Sequence, residues 1–324
     1  MTDQIPHNAQ KHVVIGAGPA GRATATHLKN LEHQVVLISR SGSGPTIHGV
    51  ERVAVDATDA QALVRAVDGA EVMYNCMNPT SYARWATEWP PIHAALMHTA
   101  QVTGAVLVTL SNLYMYGPQR DASPITPESP EDPQDDKGRI RARMDCETLQ
   151  AHQDGTLRAV VVRASDFLGP DIGAKGHGTR NIPAIAHGRR AYVLGRTDQP
   201  HSWTYIDDAA ATLATVATSP ETHGRVWFAP TNAPVTQREL ADQIAAVLQV
   251  PSPKISSLPL GLMKVMGIAS PLIREISSIA YQFKGPWVID SSATSQAVGG
   301  YPTGWNTVVR RSARGNVDEA SEFS

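Results

Sequence analysis

The chain is predicted to be an α/β protein built on a doubly wound parallel sheet, and three observations carry this. Short β-branched runs alternate with helical patterns from residue 12 onward. The runs are continuously apolar rather than alternating, as strands covered on both faces must be. The stretch VVIGAGPAGRATATHL sets three glycines between the first strand and the first helix, the Rossmann-type arrangement.

The elements follow in order. HVVIG is the first strand, and an Ala-rich helix runs to Asn30. HQVVLIS and VERVAV are the next two strands, ATDAQALVRAV is a helix and EVMYNC is the fourth strand. GAVLVTL (104–110) and LRAVVVRA (157–164) are the fifth and sixth. Strands separated by helices of this length form β-α-β units, so residues 11–165 are read as a dinucleotide-binding Rossmann core. Past residue 165 the pattern loosens into Gly- and Pro-rich loops. Helices are expected at 207–218, which opens on an aspartate pair, and at 236–248, where Thr236 and Glu239 form a capping box. Both are expected as surface helices. Residues 166–312 are read as a mainly substrate-binding region, smaller than the core and with interleaved Rossmann elements. The segment 118–136 (PQRDASPITPESPEDPQDD) is a long loop, the tail 313–324 is read as disordered, and no internal repeat occurs.

Composition bounds the function. Hydrophobic residues make up 42% of the 324-residue chain and charged residues 18%, with a formal net charge of −2, as in ordinary soluble globular proteins. No basic half or long charge block marks a nucleic-acid or anionic-membrane partner, so the expected partner is a small-molecule substrate, with a homodimer as the assembly considered. Only Cys76 and Cys146 occur, which points to a reducing cytoplasm. The polar start MTDQIPHNAQ has no apolar signal region. The segment LPLGLMKVMGIASPLI (258–273) is broken by Pro259, Lys264 and Pro271, and is read as a buried or partner-facing helix.

Gly16, Gly18 and Gly21 serve a tight turn, close backbone approach to a pyrophosphate, and helix-on-strand packing, with phosphates at the positive helix end. The second strand ends in ISRSGSG, which puts Arg40 where an NAD enzyme would place an acid for the ribose hydroxyls. An arginine there accommodates a 2′-phosphate, so NADP(H) is the expected cofactor unless Arg40 is only a solvated loop residue. Arg22 adds charge near the phosphates or lies on the helix surface. Asp56 accepts from the adenine amino group or caps the following helix. Met77, which follows the fourth strand, completes the cofactor set.

LSNLYMYGP after the fifth strand, RASDFLGP after the sixth and WTYIDDAA before a helix together resemble the extended short-chain dehydrogenases/reductases, the NAD-dependent epimerase/dehydratase group, nearly to residue 310. The resemblance implies a serine or threonine five residues before the glycine of Y-G-P, and a later Tyr-x-x-x-Lys pair. Here those positions hold Asn112, preceded by Ser111, and Lys137 and Arg141. The usual triad is absent, and the segment DDKGRIRARMD instead packs four cations, Lys137, Arg139, Arg141 and Arg143, at a helix start, where a helix dipole favours anions.

Three explanations stand. In the first, Lys137 and Arg141 share a helix face at i, i+4. Arg141 then holds the nicotinamide ribose, Lys137 is pushed toward acid–base use by burial and by Arg141, and Asn112 donates to the substrate carbonyl. In the second, the cations are a solvated face neutralising Glu128, Glu131, Asp132, Asp135 and Asp136. In the third, the proton donor is Tyr114 or Tyr116, although family geometry more often makes Tyr116 a packing residue.

The resemblance implies an asparagine in R-x-x-N and an arginine before Y-I-D-D for a substrate diphosphate, whereas this chain has Asp166 and His201. A carboxylate there repels a diphosphate. Ser111, Tyr116, Asp166, Phe167, His201 and Trp203 suit a small, partly apolar, neutral or cationic substrate. Three of them also have a structural role open to them: Asp166 capping a turn, His201 at the surface, and Trp203 in the core. The segment 174–188 (AKGHGTRNIPAIAHG) is read as a mobile wall with glycines for closure. His7, His12, His48, His93, His98 and His152 show no metal spacing. The expected activity is that of an NADP(H)-dependent oxidoreductase on a small carbonyl/alcohol or imine/amine centre. A non-catalytic NADP(H) sensor is the alternative, with a sugar-nucleotide epimerase or dehydratase third.

Overall fold

Runs such as KHVVI, QVVLIS and VLVTLS have no polar side to turn toward water, so they bury both faces in a central sheet. In the computed structural model, which describes residues 9–79, 81–119, 121, 123–258 and 277–317, that sheet is seven-stranded. Its strands are β1 (Lys11–Ile15), β2 (Gln34–Ser39), β3 (Val50–Ala54), β4 (Val72–Asn75), β5 (Val106–Ser111), β6 (Ala159–Arg163) and β11 (Val226–Phe228), ordered β11-β6-β5-β4-β1-β2-β3. The pairs from β1 to β6 are parallel. Helices α1 (Pro19–Asn30), α2 (Ala60–Val67), α3 (Trp85–Thr103), α4 (Asp136–Gln153) and α6 (Ile206–Ala217) accompany these strands in the chain. The strand order reverses between β1 and β4, which is where such sheets open a crevice at their carboxyl ends.

The chain divides into two compact units, Met1–Ser111 with Ile140–Arg163 and Ala209–Trp227, and Asn112–Arg139 with Ala164–Asp208 and Phe228–Ser324. Residues 209–227 thus group with the first unit. The expected core 11–165 needs correction, because 112–139 groups with the second unit. That segment is fastened there by Ile125, whose backbone pairs with Val288 and Asp290.

The second unit holds β7 (Asp166–Leu168), α5 (Ile182–Ala186), β8 (Ala191–Leu194), β9 (Pro200–His201), β10 (Trp203–Tyr205), β12 (Val235–Thr236), α7 (Gln237–Leu248), β13 (Ile255–Leu258), α8 (Ser292–Val298) and α9 (Trp305–Arg314). Short two-stranded pairs, β7 with β10, β9 with β12 and β8 with β13, replace a continuous sheet. Leu168, Ile182, Trp203, Leu240, Ile244, Phe283 and Val308 lie in its core. Thr236 and Glu239 form the expected capping box on α7.

Other expectations change. Helix α6 is buried nearly all round rather than lying at the surface, because after its aspartates the run AAATLATVA has no polar face. Residues 313–317 are ordered, not a disordered tail. Ala313 and Asn316 are buried, and Asn316 Nδ2 donates to Gly169 O at 2.8 Å. Helix α3 was hidden in the sequence by Pro90 and Pro91 in its interior; burial of Trp85, Trp89, Ile92 and Leu96 compensates for the missing N–H donors. The apolar segment 258–273 lies outside the described residues beyond Leu258, as do residues 1–8 and 318–324. Among the described residues no helix is long and apolar enough to cross a membrane.

Two buried polar groups are tied to stability in the first unit. Arg163 Nε of β6 meets Asp145 Oδ2 of α4 at 2.9 Å, with both side chains buried. Replacing Asp145 with Asn or Arg163 with Met should lower unfolding free energy by roughly 3–5 kcal/mol, because either removes one charge of a buried ion pair; urea titration measures this. His12 Nδ1 is hydrogen-bonded to the Tyr74 hydroxyl at 2.9 Å, and its ring lies 4.2 Å from that of His33. Burial, with His33 adding to it, pushes His12 down to about 4 from an ordinary value of 6.5. The unfolded chain therefore binds the extra proton first, and stability present above about pH 6.5 should fall by roughly 3 kcal/mol as pH drops toward 4. Urea midpoints at neutral pH and near pH 4 should show this loss, and His12→Gln should flatten it.

Candidate functional site

The turn after β1 is built by close approach. Gly16 has φ +108°, and a Cβ on it would lie 2.8 Å from the Cys76 carbonyl oxygen. A Cβ on Gly21 would lie 1.7 Å from Gly16 O, so the first turn of α1 packs directly on the loop, whereas one on Gly18 would meet nothing within 4 Å. Gly18 is the N-cap of α1 and Pro19 its first residue, so free N–H groups of the helix end face that open side. This geometry fits a pyrophosphate. Arg22 Nη1 donates back to Ala17 O at 3.2 Å, placing the guanidinium beside the loop.

On the other side of β1, Arg40 is exposed in the turn after β2. Arg52 of β3 donates to Gly44 O, and the Ser41 and Ser43 hydroxyls lie 2.6 Å apart. Asp56 takes two bonds from Thr58, at 2.9 Å from N and 2.8 Å from Oγ1. Those bonds, with Arg40 contributing, hold its carboxyl below the usual carboxylate range. The cap of α2 is Asp59, which accepts from Ala62 N, so the capping role open to Asp56 belongs to Asp59. Met77 N donates to Asn75 Oδ1 at 3.2 Å, fixing the turn after β4.

The four cations of α4 separate into two pairs. Arg139 and Arg143 are exposed and bridge Asp136 at 2.8 Å and Glu147 at 2.7 Å. Lys137 and Arg141 are each only 4% exposed. The solvated-face explanation is thus corrected for these two, since a helix places i and i+4 on one face and that face is buried. Lys137, in the second unit, donates to Ser278 Oγ at 2.7 Å and lies 3.8 Å from Asp135 Oδ2. Its charged neighbour there is Asp135, one of the acids that the neutralising explanation named. Arg141, in the first unit, donates to Asn78 Oδ1 at 3.4 Å and lies over the rings of Trp85 and Trp89 at 5.1 and 4.3 Å.

Asn112 Oδ1 accepts from Tyr114 N at 3.1 Å, leaving the amide's NH₂ end to donate. Tyr114 is buried and its carbonyl accepts from the Tyr281 hydroxyl at 3.2 Å. Tyr116 is a packing residue: its hydroxyl donates to Pro127 O, and its ring meets Phe228 edge to face. Ser111 ends β5 with a buried Oγ that has no hydrogen-bond partner among the described residues.

In the second unit Asp166 and His201 are joined, not separate. His201 Nε2 lies 2.8 Å from Asp166 Oδ2, and the imidazole is stacked on Phe283 at 4.8 Å and tilted against Trp203 at 4.4 Å. His201 is therefore no surface residue, and Asp166 is bonded to it across β7 and β9. Trp203 is core, its Nε1 donating to Val235 O. Phe167 is half-buried in β7. Burial alone would raise the Asp166 carboxyl, but His177 and the bond from His201, with Arg180, hold it below the usual range. Burial pushes His177 down to about 4, although Asp166 pulls the other way. Tyr281 is pushed far up by burial, with Asp135 and Asp166 adding to it, so its phenol stays protonated. The mobile-wall expectation is corrected at Gly178, where a Cβ would lie 2.6 Å from Leu168 and 3.0 Å from the Trp203 ring; its small size serves packing. Among the described residues no group of three His, Cys, Asp or Glu is placed to hold a metal.

Asn78, Trp85, Trp89, His177, Ser278, Tyr281 and Phe283 were not singled out from the sequence. Only the i, i+4 spacing of Trp85 and Trp89 gave a signal, and their partner lies more than fifty residues away. Replacing Gly18 with Ala should leave stability within ~0.5 kcal/mol while weakening dinucleotide binding about tenfold or more. Gly21→Ala should cost roughly 3 kcal/mol by overpacking. Thermal melts and calorimetric titration separate the two effects.

Comparison with known proteins bears on the family and the fold. A profile described as the NAD dependent epimerase/dehydratase family matches residues 12–228. The solved structure of dTDP-glucose 4,6-dehydratase from Bacillus anthracis str. Ames, in complex with NAD, aligns at TM-score 0.78 and 15% identity over 95% of this chain and 96% of that one. UDP-glucose 4-epimerase from Thermotoga maritima, with UDP-glucose, aligns at 0.77 and 13% identity over 94% and 98%. The Bordetella bronchiseptica enzyme WbmH, in complex with NAD+, aligns at 0.72 and 16% identity over 95% and 98%. At such identities the likeness concerns the fold alone. No curated protein matches the sequence.

Proposed function

Because the chain belongs to the NAD-dependent epimerase/dehydratase family, whose members bind a nicotinamide dinucleotide, we propose that it is an NADP(H)-dependent oxidoreductase acting on a small carbonyl/alcohol or imine/amine substrate. The observation that carries this is the burial of Lys137 and Arg141, where the family resemblance implies tyrosine and lysine, against the exposure of Arg139 and Arg143. Withdrawing a cation from water is costly. Neutralising an acidic loop requires no such burial.

The bound nicotinamide supplies or accepts a hydride. The chain's own residues handle the rest: Lys137 holds the proton for the substrate oxygen or nitrogen, Asn112 donates through its NH₂ group, and Arg141 binds ribose hydroxyls through its fixed donors. The preference for NADP(H) rests on Arg40 and its neighbours Arg52, Ser41 and Ser43 in an exposed loop that carries no carboxylate. On the substrate side, the Asp166 carboxylate bonded to His201 disfavours a diphosphate and suits a neutral or cationic small molecule. The near-neutral charge and two unpaired cysteines support a cytoplasmic enzyme without nucleic-acid or membrane partners. A non-catalytic NADP(H) sensor is the second reading, favoured by the partners that Lys137 already has in Ser278 and Asp135.

The purified protein should bind NADPH about tenfold or more tightly than NADH in calorimetric titration, and Arg40→Asp should erase the preference. It should oxidise NADPH with some members of a panel of small aldehydes, ketones and imines, and Lys137→Met should slow that turnover roughly a hundredfold. Equal affinity for the two cofactors would overturn the NADP(H) assignment. Turnover indifferent to Lys137→Met would remove the lysine from the chemistry, and tight binding without turnover would favour the sensor.

A further inference from the structure

The strand order reverses between β1 and β4, so a dinucleotide on the Gly16–Gly18 turn extends toward β2 and β3 in one direction and toward β4 in the other. Arg40 and Asp56 follow β2 and β3, which makes theirs the adenosine side. The nicotinamide side is then the carboxyl end of β4. Asn78 lies there, three residues past the strand, exposed, and accepting from Arg141 Nη2 at 3.4 Å.

Trp85 and Trp89 stand one turn apart at the start of α3, which follows the same loop. Their rings meet edge to face, with centroids 6.0 Å apart and planes at 90°. The Arg141 guanidinium carbon lies 5.1 Å from one ring and 4.3 Å from the other. Two mutually perpendicular rings restrict a planar cation in more than one direction, and desolvated contacts of this kind are strong enough to orient it. An apolar side chain would fill the same space without the cost of burying a charge. The first unit therefore keeps a cation, at its ligand-bearing edge, that packing alone does not require.

We propose that Trp85, Trp89 and Asn78 are positioning residues that hold the Arg141 guanidinium against the nicotinamide ribose, fixing the redox half of the cofactor independently of its adenosine half. The inference rests on the dinucleotide reading above. It assigns to two indoles and an amide the orienting task.

The test compares NADPH with adenosine 2′,5′-bisphosphate, which carries the 2′-phosphate but neither the nicotinamide nor its ribose. Titrating the intact chain, Arg141→Met should weaken NADPH binding about tenfold and leave the bisphosphate unchanged. Trp89→Leu should give the same selective loss, and Trp89→Phe, which keeps an aromatic face, should recover part of it. Should Trp89→Leu fail to fold, Asn78→Ala removes one contact from an exposed loop and should also lower NADPH affinity selectively, by a smaller factor. Equal changes for both ligands, or none for NADPH in Arg141→Met, would overturn the positioning role. A wild-type chain that binds the two ligands equally would overturn this inference alone. One that binds neither would overturn the dinucleotide reading with it.

Discussion

The contact between Gly21 and the Gly16 carbonyl governs the rest of the first unit. With a Cβ at Gly21 only 1.7 Å from that oxygen, no other residue lets α1 leave the loop at this distance from β1. The constraint sets the helix N-terminus, with its free N–H groups, at the carboxyl edge of the parallel sheet. It also leaves the open side of Gly18 as the place where an anion is favoured. The loops after β2, β3 and β4 take their meaning from their distance to that point.

Helix α4 then appears as two helices in one. Its exposed face carries Arg139 and Arg143, whose carboxylate partners at i−3 and i+4 contribute the few tenths of a kcal/mol usual for surface pairs. Its buried face carries Lys137, Arg141 and Asp145, each matched in its own unit by a specific partner: the Ser278 hydroxyl, a pair of indoles, and Arg163. Four cations at a helix start oppose the dipole, but the opposition is local and small beside the energies of buried pairing. Helix stability by itself does not account for keeping charge on the inner face.

The second unit handles its charges differently. Asp166, His177 and His201 form a cluster in which a carboxylate is bonded to His201 and neighboured by His177 and Arg180, with Phe283 stacked on the His201 ring and tilted against that of His177. Tyr281, next to two carboxylates, stays a hydrogen-bond donor and not an acid at any ordinary pH. Asp166 and His201 lie on the short strands β7 and β9, while His177 and Arg180 lie in the turns preceding α5; Trp203 of β10 stands opposite Asp166.

The sequence by itself determined the parallel sheet, the glycine turn and the capping box on α7. Each is a local matter of apolar runs, backbone freedom or residue identity at a fixed spacing. It also supplied Asn112, Lys137, Arg141, Asp166 and His201 as candidates. Only the tertiary structure decided that Lys137 and Arg141 are buried while Arg139 and Arg143 are not, that Asp166 bonds His201, that Asp59 rather than Asp56 caps α2, and that residues 313–317 pack instead of fraying. The physical reason is common to all of these. A side chain's burial and its partner depend on residues distant in the chain, such as Trp89 for Arg141, Ser278 for Lys137 and Gly169 for Asn316, and no periodicity within a window of sequence encodes them.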